Sequence, residues 1–387
     1  MDRQLNVCLL NDCFPPVIDG VANVMLNYAK VLHRDYGNVV VAVPRYPGDN
    51  AEYPFPVIRY PSVRTPKTAG YRMGVPGLGI IRELKSYQID IIHCHCPFVS
   101  AMISKLLRQS TKAPIVMTYH TKYDIDIANN FDAEILRSAA KRLIVANIEM
   151  CDEVWAVSRG AGENLKSLGY RGDFCVMDNG VDFPKGPAPK SLSRQAGEEI
   201  GLAGLPADVP VFLYVGRMMW YKGIRLILEG LLKAKAAGVK FKMVFVGGGE
   251  DFGEITDLAL SLGLGGECIF AGPISDRERL RAIYSRADMF MFPSTFDTSG
   301  IVVREAAACG LASILINGSA AAESTTDGRN AALIDEDSDS LARAVIDLTN
   351  NMDLMKSLGR AALDDLYVSW ETAIARAYEQ YCAVVGR

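Results

Sequence analysis

The sequence predicts an α/β protein of two domains, each built on a doubly wound parallel sheet. The first observation behind this prediction is that short apolar runs alternate with helical patterns through the first half of the chain. The second is that the same alternation starts again after a stretch rich in Pro, Gly, Ser and charged residues. The third is length, since 387 residues suffice for two domains with separate cores.

The predicted strands are short apolar runs bounded by polar or turn-forming residues. In the first domain they are Leu5–Leu10, Val39–Val43, Val57–Tyr60, Ile89–His93, Ile115–Tyr119, Val154–Val157 and Cys175–Met177. In the second domain they are Val211–Val215, Lys242–Val246, Cys268–Phe270, Met289–Phe292 and Ser313–Leu315. Ligands of such sheets bind beyond the carboxyl ends of the strands, so the residues that follow each run are candidates for a site.

The domain boundaries follow from the change in composition. We predict a first domain at 1–183, a linker at 184–209, a second domain at 210–366 and a final helical segment at 367–387. Within the first domain, Glu134–Met150 has the pattern of a long helix. Its apolar residues at 135, 136, 139, 143 and 146 are expected to pack in the core.

Composition excludes several classes of protein. The net charge of −4 argues against general nucleic-acid affinity, and no apolar run is long enough to span a membrane. The nine cysteines lie mostly in apolar runs, as reduced core residues do, so a cytoplasmic location is expected. Residues 59–122 nevertheless contain ten basic and two acidic residues, which fits either a solvated surface or attraction to an anionic membrane or acceptor.

One stretch of the second domain has the features of a binding site. The apolar strand Met289–Phe292 ends at Pro293, and a helix is expected to start at Ser299–Gly300 and to stop at Gly310. Its first backbone N–H groups, at Gly300, Ile301 and Val302, would hold a phosphate, with Ser299 as the N-cap.

Two carboxylates flank this helix start, with seven residues between them: Asp297 before the helix and Glu305 within it. Carboxylates repel a phosphate but bind hydroxyl groups well. The pattern therefore indicates a ligand with a diphosphate between polyhydroxylated groups, which describes a nucleotide-sugar.

This stretch resembles the signature of the retaining GT-B glycosyltransferases of the GT4 type, which have two glutamates separated by seven residues. The resemblance implies that Asp297 contacts hydroxyls of the donor sugar, that the N–H groups between hold the diphosphate, and that Glu305 binds the ribose. This chain departs from the pattern by having Asp297 where the family has Glu. The shorter side chain reaches about 1.5 Å less far, which bears on the identity of the donor sugar.

Other segments of the second domain resemble the same family. Gly216–Gly223 is similar to its Gly-Arg, four residues, Lys-Gly segment, in which Arg217 and Lys222 would bind the diphosphate and offset its growing charge. Gly249 lies in a glycine run after the next strand, where the backbone approaches a ligand closely. The segment around Ile274 resembles the loop that reads the base.

The first domain carries weaker matches. Asp19-Gly20 resembles a loop with two glycines, and Gly20 would start a helix and approach the donor, with Asp19 on the acceptor side. Tyr119-His120-Thr121 resembles the family's His-Thr pair, whose histidine lies against the donor sugar. His95 and Tyr123 are weaker candidates for the acceptor side. A metal site at His93–Cys96 is not expected, because alternate residues of a strand face opposite ways.

The resemblance implies a GT-B fold: two facing Rossmann-like domains with an interdomain cleft and a last helix that crosses back to the first domain. It further implies retaining transfer of a hexose from a nucleotide-sugar, expected to be UDP-linked, to an acceptor hydroxyl, without a metal or other cofactor. Arg217, Lys222 and the Gly300 helix would stabilise the leaving group. The first-domain pattern is most similar to enzymes that glycosylate diacylglycerol or phosphatidylinositol at the cytoplasmic face.

Alternatives remain at this point. A soluble or polyprenyl-linked acceptor in cell-envelope polysaccharide synthesis is compatible with the same motifs. A catalytically silent subunit that binds the nucleotide-sugar is suggested by Asp297 and by the incomplete glycine loop at Asp19. An epimerase acting on the nucleotide-sugar alone would need no acceptor.

Overall fold

The computed structural model describes residues 4–17, 19–48, 51–64, 71–124, 127 and 133–387. The chain forms two compact units by backbone contacts. The first is Met1–Gly180 with Trp370–Arg387, and the second is Val181–Ser369. The division falls slightly before position 183, where the composition of the sequence changes.

The first unit contains a seven-stranded sheet in the order β3-β2-β1-β6-β7-β8-β9, with all neighbouring strands parallel. Its strands are β1 (Val7–Leu10), β2 (Val39–Pro44), β3 (Val57–Tyr60), β6 (Ile91–Cys94), β7 (Ile115–Tyr119), β8 (Glu153–Ala156) and β9 (Cys175–Val176). The central strands are buried on both faces, which explains why they are continuous apolar runs.

A short hairpin of β4 (Ser62–Arg64) and β5 (Arg72–Gly74) stands apart from this sheet. The helices of the first unit are α1 (Gly20–Val31), continued by a π-helical turn (Leu32–Tyr36), α2 (Leu78–Lys85), α3 (Val99–Thr111), α4 (Glu134–Glu149), α5 (Arg159–Ser167) and α13 (Trp370–Val385). None of the described helices is long and apolar enough to cross a bilayer.

The second unit contains a six-stranded parallel sheet in the order β12-β11-β10-β13-β14-β15. Its strands are β10 (Val211–Val215), β11 (Lys242–Val246), β12 (Cys268–Gly272), β13 (Met289–Phe292), β14 (Ser313–Ile316) and β15 (Ala331–Ile334). Its helices are α6 (Lys190–Glu199), α7 (Ile224–Ala236), α8 (Phe252–Ser261), α9 (Arg277–Tyr284), α10 (Ile301–Ala308), α11 (Ser338–Thr349) and α12 (Met352–Leu366). Two 3₁₀ turns, Trp220–Lys222 and Ala320–Ala322, follow β10 and β14.

Both sheets are parallel and flanked by helices, so the predicted α/β class with two Rossmann-like domains is confirmed. The final helix α13 belongs to the first unit, as expected for this fold. It buries Ile374, Ala377 and Tyr381, and the Tyr381 hydroxyl lies 2.5 Å from His93 Nδ1 on β6.

The stretch 184–209, predicted as a linker, belongs to the second unit and contains helix α6. The face that α6 buries consists of small residues, namely Ser193, Ala196 and Gly197. A Cβ at Gly197 would lie 2.9 Å from Arg286 Cγ, so the helix packs closely. A stripe of small residues gives no apolar periodicity, which is why the sequence pattern missed this helix.

The sequence predicted helix α4 itself, but the prediction of which side of the helix faces the core was wrong. The helix exists, but Ile135, Leu136, Ala139, Leu143 and Ala146 are all exposed. The helix is held to the core by a different set near its C-terminal end: Ile144, Val145 and Ile148. Periodicity identifies an apolar stripe but does not say which of two stripes faces the core.

Candidate functional site

Loops that follow three neighbouring strands of the second unit meet at the carboxyl edge of its sheet. The loop after β10 is held to the loop after β11 by the Met218 amide, which donates to the Gly248 carbonyl at 3.0 Å. A Cβ at Gly249 would lie 2.3 Å from the Met218 carbonyl oxygen. A Cβ at Gly223 would lie 2.1 Å from the Pro293 carbonyl oxygen after β13. The glycines are therefore required by close backbone approach between these loops.

Lys222 and Asp297 form an ion pair at this junction. Lys222 Nζ donates to both Asp297 carboxylate oxygens at 2.9 Å, and the lysine is buried. Its ammonium also lies 5.5 Å from the centroid of the Tyr221 ring. The 3₁₀ turn Trp220–Lys222 fixes the backbone of the lysine, and Gly223 in the left-handed region ends that turn. An ammonium has three N–H donors, so one donor of Lys222 remains for a further acceptor.

Helix α10 begins beside this ion pair without a side-chain cap. Its N-cap residue is Gly300, at φ 54°, and no side chain accepts from the first turn. The prediction of Ser299 as the N-cap was therefore wrong. The N–H groups of Ile301 and Val302 lie in the first turn and have no acceptor within the helix, so they are available to an anion together with the positive end of the helix dipole. Ala321, in the turn after β14, packs against Gly300, since a Cβ there would lie 3.1 Å from the Ala321 Cα.

Ser319 precedes that turn and has a buried hydroxyl. Its Oγ makes no hydrogen bond to any part of the chain that the structure describes. A buried hydroxyl without a partner is costly, so a ligand group or a water is expected to satisfy it.

Glu305 is buried and held by two partners. Arg277 Nη2 donates to Glu305 Oε1 at 2.6 Å, and the Tyr284 hydroxyl donates to Oε2 at 3.1 Å. Burial raises the pKa of Glu305, and the Arg277 guanidinium opposes that rise. Each carboxylate oxygen keeps a second lone pair, so this carboxylate is still able to accept hydrogen bonds from two hydroxyl groups.

Sequence reasoning did not identify Arg277 or Tyr284. Both lie on α9, which Asp276 caps by accepting from the amides of Glu278 and Arg279. Because the two residues are seven positions apart, they project from the same face of the helix. That spacing was a usable signal, but nothing in the sequence ties this face to Glu305.

Arg217 and Ile274 lie where the strand pattern places them, in the loops after β10 and β12. The Arg217 guanidinium lies 6.0 Å from the centroid of the Tyr221 ring, and its carbonyl accepts from the Tyr214 hydroxyl at 2.9 Å. Ile274 is half-buried and packs against the core of the second unit. Their expected contacts with the diphosphate and the base stay predictions.

The first unit contains a buried cluster of three histidines at the ends of β6 and β7. His95 Nδ1 and His120 Nε2 lie 3.0 Å apart, so one of these nitrogens donates to the other. The ring centroids of His93 and His95 are 3.9 Å apart. His93 Nε2 lies 2.7 Å from Thr118 Oγ1, whereas His95 Nε2 is buried without a partner in the described part of the chain.

Burial keeps these rings neutral. Desolvation lowers the pKa of His120 to about 4, and the nearby Asp19 carboxylate opposes this shift. The pKa values of His93 and His95 are lowered well below the usual range, again mainly by desolvation. Within the described ranges, no group of three or more His, Cys, Asp or Glu side chains is arranged to hold a metal ion.

Asp19 caps helix α1. Its Oδ1 accepts from the amides of Val21 at 2.8 Å and Ala22 at 3.0 Å, and its Oδ2 accepts from the Tyr71 hydroxyl at 2.7 Å. Gly20 does begin the helix, but the first-turn amides that would bind an anion already have a carboxylate. The start of α1 therefore differs from the uncapped start of α10.

Tyr123, predicted on the acceptor side, is a buried aromatic that contacts the rings of Phe98 and Tyr119. Residues 65–70 of the basic segment 59–122 lie outside the described residues.

Two family profiles match the chain. "Glycosyltransferase Family 4" matches residues 18–184, and "Glycosyl transferases group 1" matches residues 198–365. Together with the two Rossmann-like sheets, these matches define a glycosyltransferase. The chain belongs to the GT-B glycosyltransferases with domains of the GT4 type.

Two named relatives have low sequence identity to this chain, but the matches cover most of its length. An alpha-monoglucosyldiacylglycerol synthase of Streptococcus pneumoniae is 24% identical over 79% of this chain and 70% of its own length. A GDP-mannose-dependent alpha-mannosyltransferase of Corynebacterium glutamicum is 23% identical over 99% of this chain and 90% of its own length.

Solved structures share the fold. HepE of Anabaena, in complex with UDP and glucose, has a TM-score of 0.75 at 17% identity and covers 98% of this chain and 100% of its own. Sucrose-phosphate synthase of Thermosynechococcus elongatus has a TM-score of 0.76 at 22% identity and covers 99% of both chains.

Proposed function

We propose that this protein is a retaining hexosyltransferase that uses a nucleotide-sugar, in the first instance a UDP-sugar, and transfers the sugar to a hydroxyl of a membrane lipid such as diacylglycerol. The observation that carries the donor part is the pair of the buried Lys222 and the half-buried Asp297 beside the uncapped start of α10. A cation, free helix N–H groups and a carboxylate stand together there, which is the set that a sugar diphosphate requires.

Each residue has a proposed part in donor binding. The N–H groups of Gly300, Ile301 and Val302 and the side chain of Arg217 hold the diphosphate. Lys222 gives its third N–H to a diphosphate oxygen while Asp297, which orients it, accepts from a sugar hydroxyl. Glu305 accepts from the ribose hydroxyls with the lone pairs that Arg277 and Tyr284 leave free.

The proposed reaction is a substitution on one face of the sugar. The bond from the anomeric carbon to the diphosphate oxygen breaks as the bond to the acceptor oxygen forms. The proton of the acceptor hydroxyl passes to the departing diphosphate, whose charge Arg217, Lys222 and the helix dipole stabilise. No metal ion or other cofactor has a part in this proposal.

The lipid acceptor is supported by the names of relatives. Alpha-monoglucosyldiacylglycerol synthases of Streptococcus pneumoniae and Acholeplasma laidlawii are both similar to this chain over most of its length. The basic excess at 59–122 agrees with peripheral attachment to an anionic membrane. The mannosyltransferase relative, which depends on GDP-mannose, makes GDP-sugars the second donor class to test.

The test is mass-spectrometric detection of glycosylated product and free nucleotide after incubation of the pure protein with UDP-glucose, UDP-galactose or GDP-mannose. Each donor is offered alone, with a soluble saccharide, with polyprenyl phosphate, and with vesicles that contain diacylglycerol and phosphatidylglycerol. We expect a glycolipid only in the presence of diacylglycerol. Release of nucleotide only with a soluble or polyprenyl acceptor would overturn the proposal of a lipid acceptor. Conversion of the donor to a different nucleotide-sugar without any acceptor would indicate an epimerase. Donor binding without turnover would indicate a catalytically silent subunit.

A further inference from the structure

The structure leaves an apolar stripe of helix α4 in solvent. Ile135 is 81% exposed and Leu143 is 57% exposed, and Leu136 lies beside them. At 3.6 residues per turn, these residues with Ala139 and Ala146 cover an arc of about 100°. The residues that α4 buries, Ile144, Val145 and Ile148, lie on the other side and only in its second half.

Within the part of the chain that the structure describes, the first half of α4 packs only lightly on the core of the first unit, through the half-buried Ala140. None of its residues from Glu134 to Leu143 is buried. Most helical stability in proteins comes from packing of an apolar face, so an exposed apolar stripe of this length is a candidate for contact with another surface.

Helix α3 carries a second exposed stripe. Phe98, Met102 and Leu106 are spaced four residues apart and are all exposed, with Met102 at 53%. The two helices are neighbours, since Asn147 Nδ2 on α4 donates to the Pro97 carbonyl just before α3 at 2.8 Å. We call the exposed residues Phe98, Met102, Leu106, Ile135, Leu136 and Leu143 the α3–α4 face.

The charged residues of α3 and α4 are mainly basic, and the exposed acids of α4 are Glu134 and Glu149 at its two ends. Lys105 adjoins Leu106 in sequence, and Arg142 adjoins Leu143 on the solvent side of α4. Helix α3 contains no acidic residue, and Lys112 follows its last turn. A stripe of apolar side chains edged by lysine and arginine matches the boundary between the headgroups and the acyl chains of an anionic bilayer.

We propose that the α3–α4 face docks on an anionic lipid membrane, with its apolar side chains in the acyl boundary and its basic side chains at the headgroups. This proposal adds to the proposed function by naming the surface that meets the membrane. It rests on that function for the reason why the protein binds a membrane, but the binding itself is tested separately. A second copy of this chain fits the face less well. A two-fold contact would set Lys105 and Arg142 against copies of the same basic face.

The experiment is flotation of the full-length protein with vesicles of phosphatidylcholine alone and of phosphatidylcholine with phosphatidylglycerol. We compare wild type with Ile135→Ser/Leu143→Ser and with Lys105→Gln/Arg142→Gln. The control is Leu260→Ser, which changes a leucine that is 59% exposed on helix α8 of the second unit. All four proteins are also measured for transfer to short-chain diacylglycerol dispersed below its aggregation limit, where no bilayer is present.

We expect wild type and Leu260→Ser to float with the anionic vesicles. Ile135→Ser/Leu143→Ser should lower the fraction of protein bound to vesicles by about tenfold. Lys105→Gln/Arg142→Gln should also lower this fraction, and high salt should lower the bound fraction of wild type in the same way. Transfer to the dispersed acceptor should be the same for all four. Equal flotation of all variants, no flotation of wild type, or a dimer that only the serine pair dissociates would each overturn the proposal. Flotation without transfer would contradict the proposed function and leave the docking surface standing.

Discussion

Lys222 shows how one buried ammonium is prepared for a ligand. Its two hydrogen bonds to Asp297 keep the charge in place before any donor binds, and its backbone is fixed by a 3₁₀ turn. A flexible lysine would lose about 2 kcal/mol of rotamer entropy on binding, and here much of that cost is met on folding. The aspartate that departs from the family pattern therefore has a local role as the partner of the lysine.

Arg277 should act on donor binding through Glu305. In Arg277→Gln, the pKa of Glu305 rises further because its cationic partner is lost, so protonation of the carboxylate begins at a higher pH than in wild type. We expect the KM for the donor to rise several-fold, to rise more steeply as the pH falls from about 8 to about 6, and to be partly restored by Arg277→Lys.

The control is Arg279→Gln on the same helix, whose guanidinium pairs with Glu199. Equal donor KM values for Arg277→Gln and Arg279→Gln at every pH would contradict the role of Arg277. A fall in kcat at unchanged KM would do the same.

His95 should position His120, the histidine that the family resemblance places against the donor sugar. In His95→Ala, the imidazole of His120 loses its partner at 3.0 Å, and we expect kcat to fall about 10-fold to 100-fold with a small change in donor KM. His95→Asn keeps a polar group near the position of Nδ1 and should recover much of the loss. Steady-state kinetics together with melting temperatures separate this effect from loss of folding. Equal kcat values for Ala and Asn variants of equal stability would argue against positioning.

At the scale of elements, the loops after β10, β11 and β13 form one unit because their backbones are in close contact. Gly223 has φ 78° and Gly238 has φ 84°, but only at Gly223 would a Cβ meet another backbone group, Pro293. Both alanine substitutions carry left-handed strain of about 1 kcal/mol.

Gly223→Ala should therefore destabilise the protein by about 3 kcal/mol or more, whereas Gly238→Ala should cost only the strain. Chemical denaturation of the two variants measures the difference. Similar unfolding free energies for both would show that the loops separate readily and that Lys222 is not held by this contact.

The sequence predicted most of this framework for a physical reason. Strands buried on both faces are continuous apolar runs, and their carboxyl ends mark where Lys222, Asp297 and His120 had to lie. The β4–β5 hairpin was missed because three-residue strands have no period, and α6 was missed because its buried face is made of small residues. The partners of Glu305 could not be predicted from the sequence, because they depend on how α9 packs against α10, which no local pattern encodes.

At the scale of the whole molecule, the histidine cluster should make folding sensitive to acid. The folded pKa of His120 is about 4, against about 6.5 in an unfolded chain, so the unfolded state binds the proton first. The free energy of unfolding has its full value above about pH 6.5 and falls as the pH drops towards 4, by roughly 3 kcal/mol for this residue alone. His93 and His95 shift in the same direction and add to the loss.

Urea denaturation between about pH 7 and pH 4.5 checks this prediction. His120→Gln removes one titrating group and should flatten the decline, although carboxylates contribute a background that both proteins share. An identical slope in the two proteins would mean that His120 is protonated as easily in the folded state as in the unfolded state.

The central claim is that the second unit binds a nucleoside diphosphate through Lys222, Arg217 and the start of α10. Calorimetric titration of full-length protein with UDP, and with GDP in parallel, tests it most directly. Lys222→Ala and Arg217→Ala are compared with Arg225→Ala, which removes a nearby exposed arginine that stacks on Trp220. We predict that wild type and Arg225→Ala bind one nucleotide with similar affinity and that Lys222→Ala and Arg217→Ala each bind it at least about tenfold more weakly. Unchanged affinity in both of the latter variants would contradict the account.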